Sequence, residues 1–439
     1  MPDLQRQGVS ASVAGEGQGK VLHFLAHGSG GAARAAVSIH ETVRERGWRS
    51  VLVVGDEVNR TADRAPGRGA SLLDDLLWSR AMAQRTRLQQ ALHPKTYYQA
   101  DRPAPFRGAS FVAPFQPDVV HLHWVSSFMS TRDIAALARR FRCPIVWTVV
   151  DMAPMTGGCH YSYGCERFTQ ACGYCPALPG SSPTDHSFQT LRLRAADLSG
   201  LPITVVGATN WVVERARRSA LLGGFDALRI PYGIDADVFR PVPKAAARQV
   251  LGLPPGAQVL FFGATSHDDP RKGMRILAQA LTLLADNPPD GAPLHLLTAG
   301  RKAPRSEYDE RLPRLDLGPI TDDRFLALCY QAADAFVCPS VEDAGPLMVP
   351  ESLVCGTPVV TFAVTGGAQD LIQHGQTGYI ADSPDAASMA RGIRETLEGV
   401  RSGRVTAAAV RSSRVPGSTR EEQGLAYTEL YGRLTKGSR

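Results

Sequence analysis

The sequence predicts an α/β protein made of two doubly wound domains, and three observations predict it. Short apolar runs alternate with helical segments along most of the chain, the pattern of parallel sheets covered on both faces. The alternation stops at 232–243, a stretch rich in Gly, Asp and Pro, and then begins again. Glycine-rich turns fall just after strands, at the carboxyl ends where open α/β sheets take their ligands.

The elements follow in order. Residues 20–26 are expected as a buried strand that runs into His27-Gly28-Ser29-Gly30-Gly31 and a helix over 32–46. Further strands are expected at 50–55, 118–124, 144–150 and 203–207, with a helix over 130–141. Beyond the connector, strands at 258–262, 295–299, 335–338 and 358–362 alternate with helices at 273–285, 325–333 and 350–355. A last helix covers 421–434, with Leu425, Tyr427, Leu430 and Leu434 available for one apolar face. The expected organisation is a disordered tail over 1–19, a first domain over 20–235, a second over 244–415, and a terminal segment over 416–439 suited to packing back on the first.

At 439 residues and 44% hydrophobic, the chain has enough apolar material for two full cores. A net charge of +6 is a mild bias. It suits an anionic substrate or a membrane surface and is too small to argue for nucleic acid. Residues 1–19 are rich in Gly, Ser and Gln and lack the apolar segment of a signal peptide. Nowhere do about eighteen apolar residues run together, so no transmembrane span is expected. The expected location is the cytoplasm, with peripheral contact at the inner membrane face as an option. Residues 72–92 carry leucines and Trp78 interleaved with Arg80, Arg85 and Arg87. They read either as an amphipathic helix on an anionic membrane or as a helix packed on the first domain.

The richest stretch is 341–351, Val-Glu-Asp-Ala-Gly-Pro-Leu-Met-Val-Pro-Glu. Asp343 and Glu351 stand eight apart, on either side of a Gly-Pro step. Backbone amides ahead of a helix suit an anion, and a carboxylate one turn inside suits sugar hydroxyls. Together they describe a pocket for a nucleotide-sugar. Glu342 rivals Asp343 but lies one residue further from Glu351. Lys272, ahead of a glycine and a helix, has the chemistry to stabilise a departing diphosphate. A solvated surface lysine is the plain alternative, as a helix N-terminal acid is for Glu351.

From residue 20 onward the chain resembles the family 4 glycosyltransferases, retaining enzymes of the GT-B fold. The resemblance rests on Gly30-Gly31-Ala32-Ala33-Arg34, Pro231-Tyr232-Gly233-Ile234-Asp235, Arg271-Lys272-Gly273, the Asp343/Glu351 pair, Gly366-Gly367 and Gly375-Gln376-Thr377-Gly378-Tyr379. It implies two Rossmann-like domains facing a central cleft, the first binding a hydroxyl acceptor and the second a nucleoside diphosphate sugar. The acceptor would be a glycan, a lipid-linked saccharide or a small-molecule glycoside. The implied donor contacts are Gly30, Gly31, Gly263, Arg271, Lys272, Ile320, Asp343, Gly345, Pro346, Leu347 and Glu351. Asp151, Thr156 and Arg34 fall on the acceptor side, and Lys272, Asp343 and Asp151 are the implied catalytic residues. Retaining members of the fold need no catalytic metal.

Two departures and one addition stand out. Gly263 is followed by Ala264 where relatives carry an arginine, and Arg271 or Arg301 is the substitute. Val150 precedes Asp151 where relatives carry a histidine that contacts the reacting sugar. Asp151 then either orients the acceptor or caps the turn that follows it. Val150 also keeps open a sugar-nucleotide-binding or scaffold protein; a sugar-nucleotide epimerase shares the fold, but the chain offers few acid/base groups for that chemistry. The addition is the loop 156–176, which resembles the branch that builds bacterial exopolysaccharides such as colanic acid. Its Cys159, Cys165, Cys172 and Cys175 are spaced Cys-x5-Cys-x6-Cys-x2-Cys. A structural zinc, two disulfides and free thiols all fit that spacing. Cytosolic chemistry disfavours disulfides.

Overall fold

The computed structural model describes residues 9–10, 18–55, 106, 111–178, 181–289, 293–301 and 311–436. The region 72–92 lies outside the described residues. The chain divides into two compact units, Met1–Ile230 with Glu421–Arg439, and Pro231–Arg420.

The first unit is built on a sheet of β1 (Val9–Ser10), β2 (Lys20–Leu25), β3 (Arg49–Val54), β4 (Val119–Leu122), β5 (Ile145–Val149), β6 (Ile203–Gly207) and β7 (Asp226–Arg229). Their order is β1-β3-β2-β4-β5-β6-β7, parallel throughout except for β1. So Val9–Ser10, inside the segment expected as a tail, forms an edge strand. Helices α1 (Gly31–Glu45), α2 (Thr131–Phe141), α3 (His186–Leu198) and α4 (Asn210–Arg218) connect the strands. Helix α2 starts on a capping box, where Ser130 accepts from the Asp133 amide and Asp133 from the Ser130 amide.

Burial explains the parallel sheet. Every residue of β4, β5 and β6 is buried, which only helices on both faces allow. One face carries Val21, Val119, Val146 and Val206 and packs against the C-terminal helix, Arg420–Lys436, through Tyr427, Leu430 and Tyr431. Each such side chain contributes about 1.5–3 kcal/mol by leaving water. Leu425, expected on that face, is 45% exposed, and Tyr431 holds the inward position instead.

That face also holds a polar stack. His23 on β2 stands opposite His121 on β4, with His123 just beyond β4. Among the described residues they form the only group of metal-ligand side chains with donor atoms all within 4.8 Å. His121 spends both ring nitrogens on hydrogen bonds, whereas His23 Nε2 is buried without a partner. His121 pairs with the Tyr431 hydroxyl at 2.6 Å and the Thr148 hydroxyl at 2.8 Å, and His23 with His123 at 2.9 Å. Burial lowers all three pKa values, His123 to about 3, so the stack is neutral.

The second unit has six strands: β8 (Gln258–Ser266), β9 (Leu294–Arg301), β10 (Arg314–Asp316), β11 (Ala335–Cys338), β12 (Val359–Phe362) and β13 (Gly378–Ala381). They are parallel, in the order β10-β9-β8-β11-β12-β13. Helices α5 (Lys244–Leu251), α6 (Met274–Asp286), α7 (Asp323–Ala332), α8 (Met348–Val354), α9 (Ala386–Arg401) and α10 (Ala407–Ser412) cover it. The stretch expected as a connector belongs to this unit, with Ile234 and Phe239 buried in its core.

Candidate functional site

In the second unit, the segments leaving β8, β11 and β12 carry the residues singled out by sequence. These strands are neighbours, so their carboxyl ends present one edge. Beyond β8, Asp269 accepts from the Arg271 amide and starts a short turn, Pro270–Lys272, that leads into α6. Beyond β11, Asp343 is fixed at its backbone. Its amide donates to the Thr365 carbonyl at 2.7 Å, and its carbonyl accepts from Gly367 at 2.9 Å. A side chain at Gly367 would collide with the Ala344 carbonyl, so the close approach of the two loops requires glycine.

The side chains converge on Asp343. Lys272 Nζ lies 2.7 Å and Arg271 Nη1 3.0 Å from its Oδ2, while the Gly345 amide donates to Oδ1 at 3.2 Å. Burial alone would raise this carboxyl. The charges of Lys272 and Arg271 outweigh that, and with the hydrogen bonds from Lys272 and Gly345 they hold it at about 2. Arg271 also donates to the Glu342 carbonyl and the Asp269 carboxylate, so its guanidinium is held on three sides. Arg301, the other substitute for the missing arginine, ends β9 and donates to Thr265.

Glu351 sits deeper. It lies in the first turn of α8, 1% exposed, and its Oε2 accepts from the Tyr330 hydroxyl at 2.9 Å. Tyr330 was not a sequence candidate, and only its buried helical position marks it. Gly263 lies within β8, which runs on to Ser266, and a side chain there would collide with Met348. Ile320 and Leu347 are both half-buried against the core of this unit.

In the first unit, Gly30 (φ 90°) caps α1 just beyond β2, and neither Gly30 nor Gly31 has an atom within 4 Å of where a Cβ would stand. The Arg34 amide closes the first turn onto the Gly30 carbonyl. Asp151, two residues past β5, is buried and makes three bonds. It accepts from Trp124 Nε1 at 2.7 Å and from the Ala153 amide at 2.9 Å, and pairs with His160 Nδ1 at 2.6 Å. Burial raises its carboxyl, but His160 and these hydrogen bonds carry it below the usual range. The cap of the following turn is thus real, and an imidazole stands beside it although position 150 is valine. Thr156 is 2% exposed; its hydroxyl donates to the Cys159 carbonyl and accepts from the Gly158 amide. It orders the loop from within. Arg194 reaches in from α3 to the carbonyls of Ala153 and Thr156.

The four loop cysteines line one pocket of about 250 Å³ with Tyr161, Tyr163 and Phe168. The neighbouring Cys159 thiol lowers Cys175 to about 7 against its burial, and Cys159 is raised in turn.

Comparison with known proteins agrees with this architecture. Residues 256–399 match the family model described as glycosyl transferases group 1. The D-inositol 3-phosphate glycosyltransferase of Thermobispora bispora is 33% identical over 178 residues, 38% of this chain and 41% of that protein. That of Geodermatophilus obscurus is 34% identical over 183 residues, 39% and 40% of the two chains. The chain thus spans about two-fifths of the length of these curated relatives. Among solved structures, sucrose-phosphate synthase from Thermosynechococcus elongatus superposes with a TM-score of 0.62 at 18% identity, over 95% of this chain and 100% of that one. Anabaena HepE with UDP and glucose gives 0.62 at 16% identity, over the same shares. At such identities the likeness speaks for the fold, and the chain has the α/β, two-domain GT-B fold. No described helix is long and apolar enough to cross a membrane.

Proposed function

We propose that the chain is a retaining glycosyltransferase moving a sugar from a nucleoside diphosphate sugar to an acceptor hydroxyl. The observation that carries this is the pair Arg271 and Lys272 closing on Asp343 at the carboxyl ends of parallel strands, within the stretch that matches a glycosyl transferase family. A nucleotide-sugar donor draws further support from Anabaena HepE, whose solved complexes contain UDP and UDP-glucose.

In this reading the second unit holds the donor. Negative charge gathers on the diphosphate as the glycosidic bond breaks, and Lys272 and Arg271 are the cations that take it up. Glu351 receives the ribose hydroxyls, while Asp343 and the backbone of Gly345, Pro346 and Leu347 hold the sugar. Asp151 and Arg34 serve the acceptor from the first unit. Attack and departure share one face of the sugar, so configuration is retained with neither an enzyme nucleophile nor a catalytic metal. Catalysis then rests on positioning and charge stabilisation. The proposed acceptor is a glycan or lipid-linked saccharide, in keeping with the likeness of the Cys-rich loop to the exopolysaccharide-building branch.

The test is a thermal-shift screen against UDP, GDP, TDP and their sugars, followed by diphosphate release over a panel of saccharide acceptors. One nucleotide family raises the melting temperature. Turnover of that donor falls roughly 10²–10³-fold in Lys272→Ala, the loss typical of one charge-stabilising group. Near-normal turnover in that variant refutes the assignment. Binding without turnover across the panel favours a sugar-nucleotide-binding protein instead, a reading supported by Val150, whose side chain donates no hydrogen bond.

A further inference from the structure

The loop between Asp151 and α3 is built around sulfur. Cys159, Cys165, Cys172 and Cys175 come from two separate turns yet line one pocket. One sulfur accepts across the two turns: the Gly157 amide donates to Cys172 Sγ at 3.4 Å. Backbone N–H groups aimed at cysteine sulfur orient and stabilise thiolates, the form that binds metal.

The backbone points the same way. Cys172, Gly173 and Tyr174 stand consecutively at φ 56°, 80° and 44°, and Tyr163 and Gly164, just before Cys165, at 48° and 81°. Side-chain-bearing residues enter this region only when something over-determines them. Part of that constraint is visible: the amides of Gly173, Tyr174 and Cys175 donate to Ser187 Oγ, the Ser182 carbonyl and Asp185 Oδ2. These bonds tie the second turn to the start of α3, but none of them reaches Cys159 or Cys165. Both turns present sulfur to the shared pocket.

We propose that Cys159, Cys165, Cys172 and Cys175 together bind one zinc ion as thiolates. Four Zn–S bonds form as four S–H bonds break, and the four protons go to solvent, leaving a site of net charge −2. Arg167, in the pocket wall, and Arg194, whose charge is felt at Cys172, offset that charge. No three of the four sulfurs lie within 4.8 Å of one another, so binding one ion requires the two turns to close on it. Cys159, Cys165 and Cys172 are only half-buried, which gives metal and chelator access. Four protein thiolates complete a tetrahedron and leave no open position, so the ion is structural. It holds the loop that carries His160 against Asp151. This inference is independent of the proposed sugar transfer, because metal content reads nothing of turnover.

The test uses the full chain, purified under reducing conditions without chelator. Elemental analysis finds about one zinc per chain, released as a mercurial titrates the thiols. Reduced, chelator-stripped protein takes up cobalt(II) with the strong visible bands and sulfur-to-metal charge transfer of a tetrahedral thiolate site. Cys165→Ser and Cys172→Ser each weaken those bands. The proposal is overturned by a chain that holds no zinc and takes up no cobalt, or by a Cys159–Cys175 disulfide found under the same reducing conditions. It is equally overturned if Cys165→Ser/Cys172→Ser keeps its full metal content, which would move the ion to the buried histidines. If the variants do not fold, the metal content and cobalt spectrum of the unaltered chain still decide.

Discussion

Replacing Asp343 by asparagine keeps the side chain's shape and removes its charge. The carboxyl is held at about 2 against an ordinary 3.8. That depression corresponds to about 2 kcal/mol of stability at pH 7. The sign follows from linkage. A depressed carboxylate stabilises the fold fully above its unfolded pKa and loses that contribution as pH falls through about 2. Neutralising position 343 adds to the loss by taking this carboxylate from Lys272, while Arg271 keeps Asp269. The tryptophans make the effect separable: Trp48, Trp78, Trp124, Trp147 and Trp211 all precede residue 231. Urea unfolding followed by far-ultraviolet circular dichroism reports both units, while tryptophan emission reports the first. Asp343→Asn is expected to lower the midpoint of the dichroism component assigned to the second unit and to leave the emission midpoint unchanged. The difference from the unaltered chain narrows below about pH 4. Equal dichroism midpoints at pH 7 would refute the claim that the two cations and this carboxylate stabilise the loops.

Three further outcomes are expected. Gly367→Ala separates the Asp343 and Gly366–Gly367 loops, because the added methyl meets the Ala344 carbonyl; donor binding and second-unit stability fall together in the thermal-shift assay. Acid weakens the first unit first. Burial holds His40 at about 4 and His123 at about 3, so from pH 6.5 downward the unfolded chain takes up protons that the fold refuses. His40 alone accounts for about 3 kcal/mol lost between pH 6.5 and 4, read as a falling emission midpoint in urea. Tyr431→Phe deprives His121 of its 2.6 Å partner inside the core and costs about 1–3 kcal/mol in the same measurement, with no change in the dichroism component of the second unit.

The interior strands were legible because a parallel sheet buried on both faces writes itself as short apolar runs, as at Val119–Leu122 and Ile145–Val149. Edge strands were not. Asp226–Arg229 and Arg314–Asp316 are half-exposed and carry charge, so neither has an apolar signature. Strand β8 outran its expected end because Gly263–Ser266 continues pairing through an irregular register that composition does not mark. On the last helix the choice of Leu425 over Tyr431 failed for a local reason. A tyrosine hydroxyl is needed to meet His121, and hydrophobicity alone cannot weigh that need. The candidate residues of the second unit were legible one by one, but their pairing was not. Arg271 and Lys272 lie more than seventy positions before Asp343, and only the sheet order brings them together. His160 was visible as a neighbour of Cys159, and its bond to Asp151 needed the folded loop.

The C-terminal helix has a consequence for how the chain is made. Tyr431 meets His121 across 310 positions of sequence, and Tyr427 meets Thr148 across 279. A ribosome therefore delivers all of Pro231–Arg420 before the residues that close the core of the amino-terminal unit emerge. The usual order, in which the unit synthesised first also matures first, is reversed. Until then the early sheet lacks the Tyr427, Leu430 and Tyr431 side chains that pack on its valines and meet His121.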